Sequence, residues 1–163
     1  MTAWSVTENP GYYRIKNGKV AGNIWFARNS LTQRTVGPNF TSETCVLTEN
    51  MKPGDYAGLA AISAHYGMVG VKCDENGNRY VFQGCNSDTN SGAKAKKEDK
   101  IKENAVSEEK IEGNAPVYLK IEYAFNTGKT RADKANFFYS LDGENWKSIG
   151  ETFSLGFDTA TTF

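Results

Sequence analysis

From Val117 to Phe125 the chain reads VYLKIEYAF, with Val117, Leu119, Ile121, Tyr123 and Phe125 at alternate positions and Tyr118, Lys120, Glu122 and Ala124 between them. Successive side chains of a β-strand point to opposite faces, so this period of two puts the apolar residues on one surface and a mixed set on the other. The stretch is predicted as a central core strand. A strand buried on one face needs a second layer to cover it, and that requirement limits what the rest of the chain can build.

The same period recurs on both sides. Phe40, Ser42, Thr44 and Val46 alternate with Thr41, Glu43, Cys45 and Leu47, which predicts a strand from about Phe40 to Leu47. Ala135, Phe137, Tyr139 and Leu141 form another, and Asp142-Gly143 turns the chain toward Trp146 and Ile149, with the Trp146 ring expected to pack across its own hairpin. Tyr12 to Ile15 reads as a short strand closing at Asn17-Gly18, a type I′ hairpin signal, with the return strand running through Ile24, Trp25 and Phe26 to about Arg28. From Asp55 the small-residue run AGLAAISAHYGMVGVKC predicts two strands joined at Ala64 to Gly67. Asp74 to Asn78 is a further hairpin turn into a strand from Arg79 to Gly84, and Phe153 to Phe157 a last strand. With 12% aromatics and 16 glycines among turn signals, the chain is predicted all-β: a two-layer antiparallel β-sandwich forming a single domain over residues 1–163.

Lys plus Arg and Asp plus Glu balance at 19 each, so there is no strong field to recruit a polyanion or a charged membrane surface, and neither nucleic acid nor membrane is expected as a partner. Cys45, Cys73 and Cys85 are odd in number and widely spaced, which fits free thiols rather than a disulfide framework or zinc site. His65 is the sole histidine and lies in a polar turn, where a structural or surface role is expected. Residues 86–114 change character, into a charged flexible loop or a solvated, ragged hairpin whose large apolar anchors are Ile101, Val106 and Ile111. Asn86, Asp88, Asn90 and Gly92 alternate with Ser and Thr, and calcium is the one cation such oxygen side chains invite. They lack the acidic density and bidentate Glu of an EF-hand loop, so no cofactor and no metal ligand is assigned. Met1 to Trp4 carries no basic segment leading into an apolar run, although any leader would lie upstream, and the compartment stays unassigned.

The loop Asn29 to Pro38 holds more polar specificity than a connector needs, and loops on rigid scaffolds carry function disproportionately often. The run ARNSLTQRTVGP, followed by MKPGDYAGLAA, VYLKIEYAF and FFYSLDGENWKSIG, resembles the module C-terminal to the catalytic propeller in glycoside hydrolase family 43 β-xylosidases and arabinofuranosidases. That module is also classed as carbohydrate-binding module family 91, a concanavalin-like jelly roll. The resemblance covers Trp4 to the last residue; LTQR with GDYAGLAA is its most specific part, whereas YSLDG with a following Trp is shared by many sandwich domains. A tryptophan-bearing strand before Trp4 and an Arg-containing closing strand of the family are missing, which leads us to expect a trimmed piece with uncovered edges near residues 1–10 and 153–163.

The resemblance implies a noncatalytic accessory module of a xylan-degrading hydrolase. Its partners would be xylan or arabinoxylan oligosaccharide and the catalytic domain of a parent enzyme, which would carry the two carboxylates of inverting hydrolysis. No residue of this chain is then catalytic. Loop position and aromatic character nominate Trp25, Asn29, Leu31, Gln33, Arg34, Asp55, Tyr66 and Tyr80 as ligand-binding or interdomain residues. Two other classes compete. A concanavalin-like glycosidase would need an acidic motif such as E-x-D-x-x-E, which is absent, although Glu43 and Glu122 could meet across a cleft; a structural interaction sandwich would have no sugar site, all its aromatics being core.

Overall fold

The structure is a computed structural model that describes residues 3–16, 21, 24–27, 29–63, 65–86, 104–125 and 133–155. In chain order the strands are β1 (Ala3–Ser5), β2 (Arg14–Lys16), β3 (Asn39–Val46), β4 (Tyr56–Ile62), β5 (Tyr66–Cys73), β6 (Arg79–Asn86), β7 (Asn104–Ile111), β8 (Val117–Ala124), β9 (Lys134–Ser140), β10 (Lys147–Ser148) and β11 (Phe153–Ser154). Strands β4 to β7 form an antiparallel meander of adjacent neighbours. The second sheet has the order β10-β9-β8-β3, with β11 also pairing with β9. Strands β1 and β2 make a separate two-stranded ribbon. No α-helix occurs among the described residues.

Alternation decides which surface of each sheet is inside. In β8, Val117, Leu119, Ile121 and Tyr123 are buried while the residues between them are not. Register carries the same surface onto β3, where Phe40 faces Tyr123 and Val46 faces Val117, and onto β9, where Phe137 lies opposite Ile121. Against it pack Val69, Val71 and Val81 of the other sheet, in one cluster that also takes in Ile149 and Phe153. Full burial of such side chains contributes about 1.5–3 kcal/mol each, which is what closes the two layers. Gly67 is part of this fit: a Cβ there would lie 2.8 Å from the Phe137 ring and 2.9 Å from that of Phe153.

Three polar contacts cross between the layers. Gln83, buried on the inner face of β6, donates from Nε2 to the Glu151 carbonyl at 3.1 Å and accepts from the Glu151 N–H at 3.0 Å. It thereby satisfies both backbone groups of Glu151, in the connection between β10 and β11. Gly150 permits the approach, because its φ of +69° suits glycine and a Cβ would strike the Gln83 amide. The Tyr139 hydroxyl donates to Glu109 on β7, and the Arg79 guanidinium donates to the Thr48 carbonyl at 3.0 Å and to Asn114, gripping the connections β3–β4 and β7–β8 together.

The sandwich predicted from alternation is the observed architecture. Ile24–Phe26, expected within a return strand, is instead a 3₁₀ turn, and β2 pairs back with β1. The reason is tertiary: Ile24 and Trp25 are packed onto a sheet surface rather than paired along an edge. Residues 104–111, expected as part of a loose loop or ragged hairpin, form an edge strand beside β6 whose register shifts at Gln83/Gly84 and whose Ile111 is anchored in the core. The Asn17-Gly18 turn, residues 87–103 with Asp88, Asn90 and Gly92, and residues 156–163 lie outside the described residues.

Two measurements test the cross-layer contacts. Gln83→Leu removes both bonds to the part-buried Glu151 backbone and is expected to cost about 1–2 kcal/mol in urea unfolding, with Gly150→Ala destabilising in the same direction. Burial, then the adjacent Glu109, pushes the Tyr139 hydroxyl up to about 12. A raised pKa stabilises the fold below the unfolded value, and the contribution is lost as pH climbs from ~10 toward 12. Tyr139→Phe is expected to flatten that alkaline limb of the stability curve.

Candidate functional site: two outer sheet faces

Each sheet presents its second surface outward. On the outer face of the β4–β7 sheet, register lines up Tyr56, Lys72 and Tyr80 at one end and Ile62, Tyr66 and Asn86 at the other. The Tyr66 end is closed. Tyr66, Met68 and Phe82 are buried there under Ile24 and Trp25 of the 3₁₀ turn. Trp25 meets Tyr66 edge-on, with ring centroids 6.4 Å apart, and its buried indole N–H has no hydrogen-bond partner among the described residues.

The opposite end is open. Tyr56 is 54% exposed and packs edge-on against Phe82 at 5.5 Å. Lys72 lies over the rings of Tyr80 and Phe82 and pairs with Glu108. The Tyr80 hydroxyl donates to Asp74 at 3.4 Å.

Of the residues nominated from sequence, Trp25 and Tyr66 are therefore in contact, and Tyr80 shares their sheet face at its far end. Asp55 is committed to a turn: its carboxylate accepts from the Lys52 N–H at 2.8 Å and its backbone pairs with Cys73. Asn29 is half-buried and engaged, whereas Leu31, Gln33 and Arg34 are exposed along the loop, Leu31 at 75%. All three cysteines are free, with Cys73 buried in β5. Among the described residues no group of three or more His, Cys, Asp or Glu could hold a metal ion.

The outer face of the β10-β9-β8-β3 sheet is a second candidate. Here the mixed positions of β8 come together with their neighbours. Lys120 lies between Phe138 of β9 and Glu43 of β3. Its ammonium sits 4.9 Å from the Phe138 ring centroid and 4.6 Å from that of Trp146, and 2.9 Å from the Glu122 carboxylate. Cation–π contact and the ion pair hold the ammonium in one place. Tyr118 adds a third ring in the next row, between Ser140 and Cys45. The ribbon reaches this row through Tyr12, whose hydroxyl is pushed above its ordinary value by the neighbouring Cys45 thiol, then by burial and Tyr118.

Trp146 owes its place to the turn before it. Asp142 accepts from the Ser140 hydroxyl at 2.8 Å, the Glu144 and Asn145 N–H groups at 2.9 and 2.8 Å, and the Asn145 side-chain amide at 2.7 Å. The sequence offers Glu43 and Glu122 as a pair that could meet across a cleft and Trp146 as a ring packed across its own hairpin; the structure places all three around Lys120. Their meeting point, Lys120, was visible only as a cation on a mixed strand face.

The architecture is that of a concanavalin A-like sandwich. A family model described as the β-xylosidase C-terminal concanavalin A-like domain matches residues 1–163, and the chain belongs to that family. A β-xylosidase of Formosa agariphila is 27% identical over 96% of this chain. A bifunctional GH43-CE protein of Bacteroides eggerthii superposes with a TM-score of 0.78 at 33% identity over 96% of the chain. A GH43 glycoside hydrolase engineered for endo-xylanase and exo-arabinofuranosidase activity shares the fold over 88% of the chain, with a TM-score of 0.72 at 22% identity. The chain spans 26% of the Formosa relative and 18% of the Bacteroides protein.

The Asn145 amide first, then the N–H groups of Asn145 and Glu144 and the Ser140 hydroxyl, hold the Asp142 carboxyl well below the usual carboxylate range. A depressed pKa stabilises the fold above the unfolded value, and the contribution is lost as pH falls below ~4. Asp142→Ala is expected to shallow this acid limb and to shift Trp146 emission to the red at neutral pH, as followed by pH-dependent unfolding and fluorescence.

Proposed function

We propose that this chain is a noncatalytic accessory module of a xylan-degrading glycoside hydrolase, binding xylan or arabinoxylan and packing against the catalytic propeller of a parent enzyme. The observation that carries the reading is the family match, which runs over the whole chain and describes the C-terminal domain of a β-xylosidase. The residues are consistent with a module that leaves bond cleavage to its partner. Glycoside hydrolysis needs one carboxyl that donates a proton and another that receives one or attacks. Glu122, one of the two acids on facing strands, is tied to Lys120 at 2.9 Å, and Glu43 stands exposed beside it in solvent.

Leu31, Gln33 and Arg34 are the exposed side chains that fit an interdomain or substrate-facing loop, with Arg34 and Gln33 as hydrogen-bond donors to sugar or to the catalytic domain. Trp25, Asn29 and Tyr66 would act from below, by fixing the base of that loop on the β4–β7 sheet. Tyr80 and Asp55 frame the open end of the same face.

In the full-length enzyme, Arg34→Ala is expected to raise KM for xylo-oligosaccharides several-fold or to lower the melting temperature of the joined domains. Unchanged kinetics and melting would discard the loop assignment. The isolated chain is expected to release no product from aryl xylosides, and turnover there would overturn the noncatalytic reading.

A further inference from the structure

The outer face of the β10-β9-β8-β3 sheet carries a combination that core packing does not require. Two half-exposed rings, Phe138 on β9 and Trp146 just before β10, hold one ammonium, that of Lys120 on β8, and a third, Tyr118, lies one row along β8. Beside them, in register, run Glu43 and Thr41 of β3, Glu122 of β8 and Asn136 of β9. The rings take one side of this surface and the hydrogen-bonding groups the other.

We propose that this face is a binding site for a neutral pyranose chain of the xylan type, with Trp146 and Phe138 as the stacking surface and Glu122, Lys120 and Glu43 as hydroxyl-binding groups. The proposal rests on the carbohydrate-binding reading above and assigns it to residues outside the Asn29–Arg34 loop.

Chemistry selects the occupant. A pyranose offers a flat C–H face, which an aromatic ring covers, and an equatorial rim of hydroxyls, each both donor and acceptor. Carboxylates accept from such hydroxyls and an ammonium donates to them, and charge-assisted hydrogen bonds are about twice as strong as neutral ones. Lys120 and Glu122 offset each other and Glu43, opposite Lys120, leaves the site one negative charge, which disfavours an anionic ligand and leaves a neutral one. A protein partner is disfavoured by the same residues, because the fully buried centre of a protein interface is depleted of charged groups. Here the centre is an ion pair, with the Glu122 side chain 45% exposed.

Size agrees. Four strands spaced about 4.8 Å apart give a face about 14 Å across, enough for a short oligosaccharide lying perpendicular to the strands. The other outer face differs in the needed way: its Tyr66 end is buried under the 3₁₀ turn, and its open end carries one well-exposed ring, Tyr56.

The test compares variants of the two faces in the purified chain, by affinity electrophoresis through xylan gels and by titration with xylohexaose. Trp146→Ala and Glu122→Gln are expected to weaken xylohexaose binding at least tenfold, and Tyr56→Ala on the opposite sheet to leave it unchanged. Lys120→Met, which keeps the stem against the rings and removes the charge, is expected to fall between them. Circular dichroism and melting confirm that each variant is folded; if Trp146→Ala does not fold, Glu122→Gln and Lys120→Met decide. Retention of wild-type affinity by the folded variants would overturn the site while leaving carbohydrate binding intact. A wild-type chain that moves identically in gels with and without xylan and gives no titration signal would overturn both. A chain that sediments as a dimer dispersed by Glu122→Gln would make the face a protein seat and overturn the proposal.

Discussion

The fold depends on two sheets closing over each other, and Gln83 is where that closure is most exacting. Its buried amide uses donor and acceptor on the two backbone groups of one residue, Glu151, which itself lies at the surface. A buried amide left unpaired costs about 1–3 kcal/mol, so Gln83 favours one seat for the chain between β10 and β11. With that seat taken, Phe153 enters the core beside Phe137, and Gly67 leaves room for both rings. Apolar packing supplies most of the driving force, and this amide sets the register in which it is delivered.

That closure commits one surface of each sheet and frees the other for separate uses. The β4–β7 sheet spends much of its outer face on a second cluster, folding Ile24 and Trp25 down onto Tyr66, Met68 and Phe82. The exposed loop that follows is thereby carried on a packed base. The β10-β9-β8-β3 sheet meets the ribbon's Tyr12 at its Cys45–Tyr118 row and fills the rest of its outer face with half-exposed rings and paired charges. The function proposed above asks for two surfaces, one to sit on a catalytic domain and one to hold a polymer, and the two outer faces differ enough to serve separately.

The sandwich, its central strands and most of its turns were legible because alternation is a local property. Residues 117–125 show it most clearly, and β8 carries it out over Val117–Ala124. The 3₁₀ turn at Ile24–Phe26 was not legible, since an apolar triplet reads equally as strand or as a plug for a distant surface. Strand β7 was hidden by its charge: Glu108, Glu109 and Lys110 look solvated until Lys72 and Tyr139 are placed beside the two acids. Of the nominated residues, Trp25 and Tyr66 were singled out for their rings, yet nothing in their neighbourhood in sequence shows that the two rings touch.

Alternation and turn residues, readable along the chain, determined an antiparallel two-layer sandwich, and particular runs such as ARNSLTQRTVGP and MKPGDYAGLAA carried the family resemblance. Tertiary structure alone decided which aromatics are core and which are surface, and it brought Lys120 to Trp146, 26 positions later in the chain. The physical reason is that a period of two assigns each side chain to a face but leaves open which strand becomes its neighbour. Neighbours across a sheet are fixed by register, and register is settled only when the buried surfaces and the buried amide of Gln83 are satisfied together.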